Sequence, residues 1–320
     1  MGQFIARRLV QAVPTLFGIM LLTFLLTRLS PADPVDLMLA GATDFTPEDR
    51  AGLREALGLT RPLPIQFADW VWHVVRLDFG NSFYYHRPAI SLIAERIPNS
   101  LQLAVVGTIV ALLIGIPLGI IAALNRGKPA DHGVRVSSVV ASAVPDFFLG
   151  LLFVLFLGVQ LRWFPIGSMN VIGETCGLCW DRAWHMVGPV LLYANGGIAI
   201  YPRYLRTEII EILGQDYIRT ARSKGLKEKI VIGSHALRNA LIPIVTLFGG
   251  ILTIVLSGSV IIEQIFTWPG LGRLLFEAAN AKDYPVVQAA VVIGGVLLLL
   301  SYILRDIAYA WVDPRIKAGR

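Results

Sequence analysis

Residues 214–243 read GQDYIRTARSKGLKEKIVIGSHALRNALIP, which is the most strongly charged run of this 320-residue chain. Seven Lys and Arg side chains lie in it or just upstream, mixed with three acidic ones. Its apolar residues recur at the spacing of a helix, and Gly225 interrupts that spacing, which favours two short helices joined at a turn. Apolar segments of membrane length lie on either side. A short basic helix-turn-helix between two membrane spans indicates a docking surface for a soluble partner.

The composition of the whole chain predicts a membrane protein. Hydrophobic residues make up 55% of it and charged residues 16%, whereas a soluble globular chain carries about 25% charged residues. The net charge is +6, but the basic residues lie in short loops beside apolar spans, so they follow the positive-inside rule rather than indicate nucleic-acid binding. No GxxxxGK[ST] run is present in the sequence, so we expect the chain itself to bind no nucleotide.

Six apolar segments approach the roughly 20 residues needed to cross a hydrocarbon core of ~30 Å. The fourth is the weakest, because it is short and contains Asn195-Gly196-Gly197. The first follows Arg7 and Arg8 like a signal peptide, but its apolar run is too long for one, so we interpret it as a retained span. The Lys and Arg residues of alternate loops then place both termini in the cytoplasm. The segments cover residues 9–29, 101–124, 136–161, 186–201, 241–262 and 286–311.

These segments predict an all-α polytopic membrane protein with six transmembrane helices. Residues 1–30 form the cytoplasmic N-terminus and first helix, residues 31–98 an outer insert, residues 99–312 a core of five further helices with a cytoplasmic loop at 203–240, and residues 313–320 a cytoplasmic tail. Within the insert, Thr46 and Pro47 predict the start of a helix, and Gly58 predicts its end. A second amphipathic helix is predicted to include residues 65–77.

The charged loop resembles the coupling loop of inner-membrane permeases from binding-protein-dependent ABC importers. That loop has the pattern EAA, three residues, Gly, and a downstream Leu/Ile-Pro. Ala221 and Gly225 occupy the last Ala and the Gly, whereas Arg219-Thr220 replace Glu-Ala and Ile242-Pro243 lies further downstream. Both departures match the dipeptide/oligopeptide/nickel subfamily, whose first-permease members read YxRTARAKGL…HALRNALIP.

The resemblance covers nearly the whole chain. One departure is Ser30-Pro31-Ala32-Asp33-Pro34, where the subfamily usually has Pro-Gly-Asp-Pro. The other segments that resemble the subfamily are Leu57-Gly58-Leu59, Leu77-Asp78-Phe79-Gly80-Asn81-Ser82, Arg96-Ile97-Pro98-Asn99-Ser100, Trp268-Pro269-Gly270-Leu271-Gly272-Arg273, Asp283-Tyr284-Pro285 and Asp313-Pro314-Arg315.

The resemblance implies a type I ABC importer permease fold in a bacterial inner membrane. It implies ATP-driven import of peptides or related small solutes, delivered by a periplasmic or lipid-anchored binding protein. A second homologous permease subunit and two ATPase subunits are the expected partners, together with membrane lipid. ATP and Mg belong to the ATPase subunits, so this chain is expected to form the channel, to bind no cofactor and not to be an enzyme.

Seven residues of the loop are expected to dock the ATPase. Small residues at 221 and 225 permit a tight turn, and apolar side chains supply anchors, since such anchors dominate interfaces. The alternative is a solvated loop whose basic residues only set topology or meet anionic lipid. The predicted docking residues are Tyr217, Ile218, Thr220, Ala221, Lys224, Gly225 and Leu226.

Polar groups within the apolar segments are candidates for a translocation path, because such groups tend to face the interior of a bundle. The candidates are Asn195, Ser257, Ser259 and Glu263. Glu263 is expected near the outer end of the fifth span, where it meets a cationic solute, pairs with Arg273 or lies in interfacial water. The two serines fit helix packing equally, since small side chains let spans approach closely.

Two further classes of protein are weighed against this interpretation. An ion-coupled secondary transporter needs ionisable residues near the bilayer midplane, commonly in broken helices. A membrane enzyme needs a reactive cluster, and the scattered histidines form none of recognisable spacing. Cys176 and Cys179 lie in an outer loop, where a local disulfide, two free thiols or a metal are alternatives. With His185 alone nearby, we predict no metal site.

Overall fold

The computed structural model describes residues 2–30, 34–39, 46–171, 180–241 and 260–312. Over these residues the chain is helical, with one isolated antiparallel bridge between Asn81 and Pro88. Two π-helical segments occur, one continuing α7 over Phe153–Gln160 and one joining α10 to α11 over Val231–Leu237. The helices are α1 (Gly2–Leu29), α2 (Pro34–Met38), α3 (Pro47–Ala56), α4 (Leu63–Val75), α5 (Ala89–Leu124), α6 (Pro129–Ala143), α7 (Asp146–Leu152), α8 (Trp180–Leu213), α9 (Asp216–Ser223), α10 (Glu228–Ile230), α11 (Arg238–Ala240), α12 (Val260–Ile265), α13 (Leu271–Asn280) and α14 (Tyr284–Val312).

Three of the described helices are long and apolar enough to cross a membrane. They are Val10–Leu29 within α1, Ala89–Leu124, and Tyr284–Leu304 within α14, which matches the first, second and sixth predicted spans. The third predicted span is not straight, because Pro129–Ala143 and Asp146–Gln160 meet at a bend of 93°. The fourth lies inside the 34-residue α8, and most of the fifth lies outside the described residues. The total of six spans therefore stays a prediction.

The bend between α6 and α7 follows from Pro145. Proline has no backbone N–H and disfavours helical geometry in the residue before it. Val144 accordingly adopts an extended conformation, with φ −89° and ψ 124°. The chain leaves α6 after Ala143 and re-enters a helix at Asp146. Hydropathy alone does not register this change of direction, which is why the sequence predicts a single span.

The described chain forms two compact units, the first comprising Met1–Asn99 with Gly270–Leu300 and the second Ser100–Pro269 with Ser301–Arg320. In the first unit, α4 packs on α1 through aromatic rings, with the centroids of Phe24 and Phe67 5.3 Å apart. The hydroxyl groups of Ser30 and Tyr284 lie 2.5 Å apart, and Gln288 donates to Thr27 at 2.8 Å. These contacts hold α14 against α1.

The predicted helix start in the outer insert is confirmed. Thr46 is the N-cap of α3, its side chain accepts from the backbone N–H of Asp49, and the Asp49 carboxylate accepts in return from the backbone N–H of Thr46. This reciprocal pair is a capping box. Gly58 follows the helix with φ +66°, and the second helix begins at Leu63, two residues before the predicted range.

Replacing Asp283 by alanine is expected to destabilise the first unit. The Asp283 side chain is fully buried and accepts hydrogen bonds from the hydroxyl of Ser82 and from the backbone N–H groups of Phe83, at 3.1 Å, and Tyr84, at 3.4 Å. Losing the acceptor leaves the buried Ser82 hydroxyl and two partly buried N–H groups unpaired, which costs about 1–3 kcal/mol. Thermal unfolding of the purified protein measures the loss.

Asp69→Ala serves as the control for this substitution. Asp69 is 54% exposed and pairs with Arg61 at 3.1 Å, and such exposed ion pairs contribute little. Equal melting temperatures for the two variants would contradict a structural role of the hydrogen bonds that Asp283 accepts.

The second unit brings α5 and α8 close together along small residues. A Cβ atom placed on Gly107 would lie 2.6 Å from Tyr193 Cδ1, and one on Gly115 would lie 2.9 Å from Tyr201 Cβ. A Cβ atom on Gly197 of α8 would lie 2.6 Å from the Cβ of Ala111. Small residues at intervals of four allow membrane helices to pack at close range. The Asn195-Gly196-Gly197 sequence, which makes the fourth predicted span the weakest, thus lies within the continuous helix α8.

Candidate functional site

The charged loop folds into the predicted pair of short helices, and Gly225 makes the turn between them. Gly225 has φ +74°, which only glycine adopts without strain. Its backbone N–H donates to Arg222 at 2.9 Å, and the N–H of Leu226 donates to Ala221 at 3.4 Å. These two bonds form a Schellman motif that ends α9. The predicted tight turn at this glycine is confirmed.

The loop has a small hydrophobic core of its own. Four residues from α9 and the segment after α10 are buried together, and partly buried Ile212 and Leu213 from the end of α8 pack against them. The loop is therefore fixed to the last turn of α8 and is expected to move with it. The four buried residues are Ile218, Ala221, Val231 and Ala236.

The predicted docking residues divide between this core and the surface. Ile218 is 0% exposed and Ala221 7%, so the expectation that Ile218 anchors a partner directly is corrected. These two side chains shape the loop from inside. The other five, Tyr217, Thr220, Lys224, Gly225 and Leu226, are exposed.

The exposed face of the loop combines apolar and basic groups. Tyr217 is 43% exposed, Leu226 38% and Ile230 43%, while Lys224 stands between them in sequence. The Tyr217 hydroxyl accepts from Asn239 Nδ2 at 3.0 Å, which orients the ring. An exposed aromatic side chain that a hydrogen bond holds in place is typical of an interface anchor.

One ion pair closes the turn between α9 and α10. Arg222 Nη2 donates to Glu228 Oε1 at 2.6 Å, and Nε to Oε2 at 3.3 Å. The hydrogen bond from Arg222 lowers the pKa of Glu228, and the same bond raises the pKa of Arg222. The stabilisation is therefore present above the ordinary pKa of glutamate and is lost as the pH falls through the lowered pKa.

A buried ion pair ties α8 to α6 upstream of the loop. Arg206 Nε and Nη2 donate to the two carboxylate oxygens of Asp131 at 2.5 and 2.8 Å. The Asp131 side chain is 1% exposed and also accepts from the backbone N–H of Gly127 at 2.9 Å. Asp131 is not among the residues that the sequence predicts to be functional. Its signal is an acidic residue inside an otherwise basic segment that contains Arg126, Lys128 and Arg135.

The structure places the candidates for the translocation path in different surroundings. Glu263 is 0% exposed and accepts from the hydroxyl of Ser100 at 2.6 Å, so solute does not reach it in this conformation. Arg273 donates to Glu277 at 2.7 Å. Asn195 donates to the carbonyl of Ala141 and to the carboxylate of Asp146. Ser257, Ser259, Cys176 and Cys179 lie outside the described residues.

Comparison with protein families assigns most of the chain. Residues 115–318 match the family described as "binding-protein-dependent transport system inner membrane component". Residues 1–104 match the N-terminal family of the same membrane components. The chain belongs to this permease family. The type I ABC importer permease fold and the resemblance found in the loop are thereby confirmed, and the ion-coupled secondary transporter is set aside.

Curated relatives cover the permease from end to end. It is 40% identical over 318 residues to the oligopeptide transport system permease protein AppB of Bacillus subtilis, covering 99% of this chain and 100% of AppB. It is 35% identical over 337 residues to the di/tripeptide transport system permease protein DppB of Pseudomonas aeruginosa, covering 100% of both chains. The permease therefore lies within the peptide subfamily.

A solved structure supports the fold of the permease. The inward-facing MetNI methionine ABC transporter aligns with a TM-score of 0.50 at 17% identity, covering 70% of this chain and 97% of that one. At this identity the likeness concerns the fold alone. It agrees with the helical architecture seen here, in which a short helical loop follows a long helix.

Proposed function

We propose that this permease is the transmembrane subunit of an ATP-driven importer of peptides or related small solutes in a bacterial inner membrane. It pairs with a second homologous permease and with two ATPase subunits, which hold ATP and Mg, while this chain binds no cofactor and carries out no hydrolysis. A periplasmic or lipid-anchored binding protein delivers the solute. The peptide substrate is supported by the names of the curated relatives.

The proposal extends to the arrangement in the membrane. Both termini are cytoplasmic, residues 31–98 form a periplasmic insert, and residues 313–320 form a cytoplasmic tail. The loop at 203–240 then faces the ATPase subunits. The distribution of Lys and Arg supports this orientation.

The observation that carries the proposal is the construction of the charged loop. A soluble motor can shift a membrane protein between states only through contacts that differ between those states. Such contacts need a surface that keeps its shape, and the loop provides one through its buried core, its Schellman motif and the Arg222–Glu228 pair. The loop is also packed on the end of α8. A push on Tyr217 or Leu226 is therefore transmitted to a membrane helix.

Transport by the reconstituted complex tests the proposed function. Proteoliposomes that contain both permeases and both ATPase subunits, with the binding protein added outside, are expected to accumulate labelled peptide only when ATP is enclosed. Vanadate is expected to stop this uptake, whereas proton or sodium ionophores leave it unchanged. Uptake that survives vanadate and fails with ionophores would show ion coupling and would refute the proposal.

Replacing Tyr217 by alanine is expected to reduce ATP-dependent uptake by about tenfold or more, since aromatic anchors at the centre of an interface contribute about 2 kcal/mol or more. Tyr217→Phe keeps the ring and loses only the bond from Asn239, so it is expected to retain most of the activity. Co-purification of the ATPase subunits and initial uptake rates measure both effects.

Tyr204→Ala provides the matched control. Tyr204 lies in α8, ahead of the two short helices and outside the predicted docking residues, and is 42% exposed, close to the 43% of Tyr217. If the two alanine variants lose uptake equally, Tyr217 has no special part in docking.

A further inference from the structure

We propose that Asp146, positioned by Asn195 at the break between α6 and α7, binds the terminal ammonium group of the solute during its passage through the permease. The inference rests on the proposed function, since it assumes that the solute is a peptide. It identifies a residue of the permease that binds the solute. It also predicts a preference for peptides that have a free amino terminus and an apolar first side chain.

The break in the helix leaves one backbone carbonyl without its usual donor. In an unbroken helix the carbonyl of Ala141 would accept from the backbone N–H four residues later, but that residue is Pro145, which has none. Asn195 Nδ2 supplies the missing donor, at 3.1 Å from the Ala141 oxygen. The same nitrogen donates to Asp146 Oδ1 at 2.9 Å. One amide from α8 therefore braces the helix before the break and orients the carboxylate after it.

Asp146 is an acidic residue directly after the break. It is exposed, lies within the predicted span at 136–161, and takes part in no ion pair among the described residues. A charged group facing hydrocarbon is costly, so ionisable residues in membrane segments face an aqueous path or meet an opposite charge. An asparagine would accept the bond from Asn195 equally well. The negative charge is thus unnecessary for the brace. The dipole of α7 favours an acid in its first turn by only about 0.3–1 kcal/mol, which is less than the cost of about 3 kcal/mol for a charge inside a membrane segment, so the position suits a bound cation.

The space next to the Asn195 amide is largely apolar. Asn195, which holds Asp146, also lines a cavity of about 330 Å³ on the second unit. The rest of the wall is apolar, so a ligand there would present a hydrophobic group to the wall and a polar group to the end at Asn195. A peptide with a free α-ammonium group and a bulky apolar first residue has this combination. The apolar lining residues are Leu149, Leu152, Phe153, Leu157, Leu191 and Leu192.

A basic side chain of the second permease is the competing occupant of Asp146. It would neutralise the charge equally, but it would leave the adjoining apolar cavity without a role. The solute accounts for both features. The two occupants also predict different behaviour, because only a solute contact depends on the charge of the transported peptide.

Uptake by the reconstituted complex carrying Asp146→Asn tests the inference. The probes are a leucine-initiated tripeptide and its N-acetylated form, each first shown to be retained by the binding protein. The variant keeps an acceptor for Asn195, so the break is expected to stay intact. Losing a charge-assisted hydrogen bond is expected to lower uptake of the free peptide by about tenfold to a hundredfold, while uptake of the acetylated peptide stays at the wild-type level. Asp69→Asn, at an exposed acid in the other unit, is expected to leave both rates unchanged.

The outcomes separate the inference from the proposed function. If the wild-type complex takes up neither peptide with ATP, both are overturned. If the wild type transports the free peptide and Asp146→Asn does so at the same rate, only the inference is overturned. An equal loss of both probes, together with loss of the second permease on purification, would show that Asp146 pairs with the partner subunit and would likewise overturn it.

Discussion

Replacing Gly225 by valine is expected to lower ATP-dependent uptake by about tenfold, because a left-handed conformation costs an ordinary residue about 1–2 kcal/mol and a β-branched one more. Gly225 holds φ +74° and donates the bond that closes the Schellman motif. A valine there displaces the turn, and with it Tyr217 and Leu226 on the exposed face. Membrane insertion is expected to be normal, since the apolar spans are unchanged. Uptake rates and the amount of ATPase subunit retained on purification measure the effect.

Two companion variants make the Gly225 prediction specific. Gly225→Asn is expected to keep most of the activity, because asparagine tolerates the left-handed region better than other residues. Gly233→Val introduces the same side chain elsewhere in the loop, where the glycine has no positive φ and nothing lies within 4 Å of an added Cβ. Wild-type coupling in Gly225→Val, or equal losses in all three variants, would remove the turn from the coupling mechanism.

The loop illustrates how far local sequence determines structure. The two short helices and the turn at Gly225 depend on residues within one turn of each other, so periodicity and one glycine predict them. Which apolar side chain faces inward is decided by Ile212 and Leu213 at the end of α8. Periodicity alone does not show which face of α9 meets that surface. The sequence therefore predicts Ile218 as an anchor, whereas the structure places it in the core.

Pairings between distant residues lie beyond the reach of the same reasoning. Asp131 and Arg206 are 75 positions apart, and each is unremarkable in its own segment. Their pairing depends on how α6 crosses α8. Asp146 and Asn195 are likewise brought together by the bend at Pro145 and by packing on α8. Proline predicts a break at this position, but which polar group repairs it is settled only by the tertiary structure.

Two neighbouring glycines of α8 differ in how closely α5 packs against them. Replacing Gly197 by leucine is expected to destabilise the permease by about 1–3 kcal/mol or more, since inserting bulk into a packed interface forces side chains and backbone apart. A Cβ atom alone at this position would lie 2.6 Å from Ala111 and 2.7 Å from Tyr201. We expect a lower melting temperature of the detergent-solubilised complex and reduced recovery from membranes.

Gly196→Leu is the matched control, because it changes the same residue type in the same turn of α8. A Cβ atom there would have nothing within 4 Å, and leucine is a better helix former than glycine by about 0.8 kcal/mol. This variant is expected to melt at or slightly above the wild-type temperature. Comparing the two variants separates the effect of close packing from that of helix propensity. If the Asn195-Gly196-Gly197 sequence served as a hinge, as in a broken helix, both leucine variants would impair transport. If its role is packing, only the Gly197 variant is impaired.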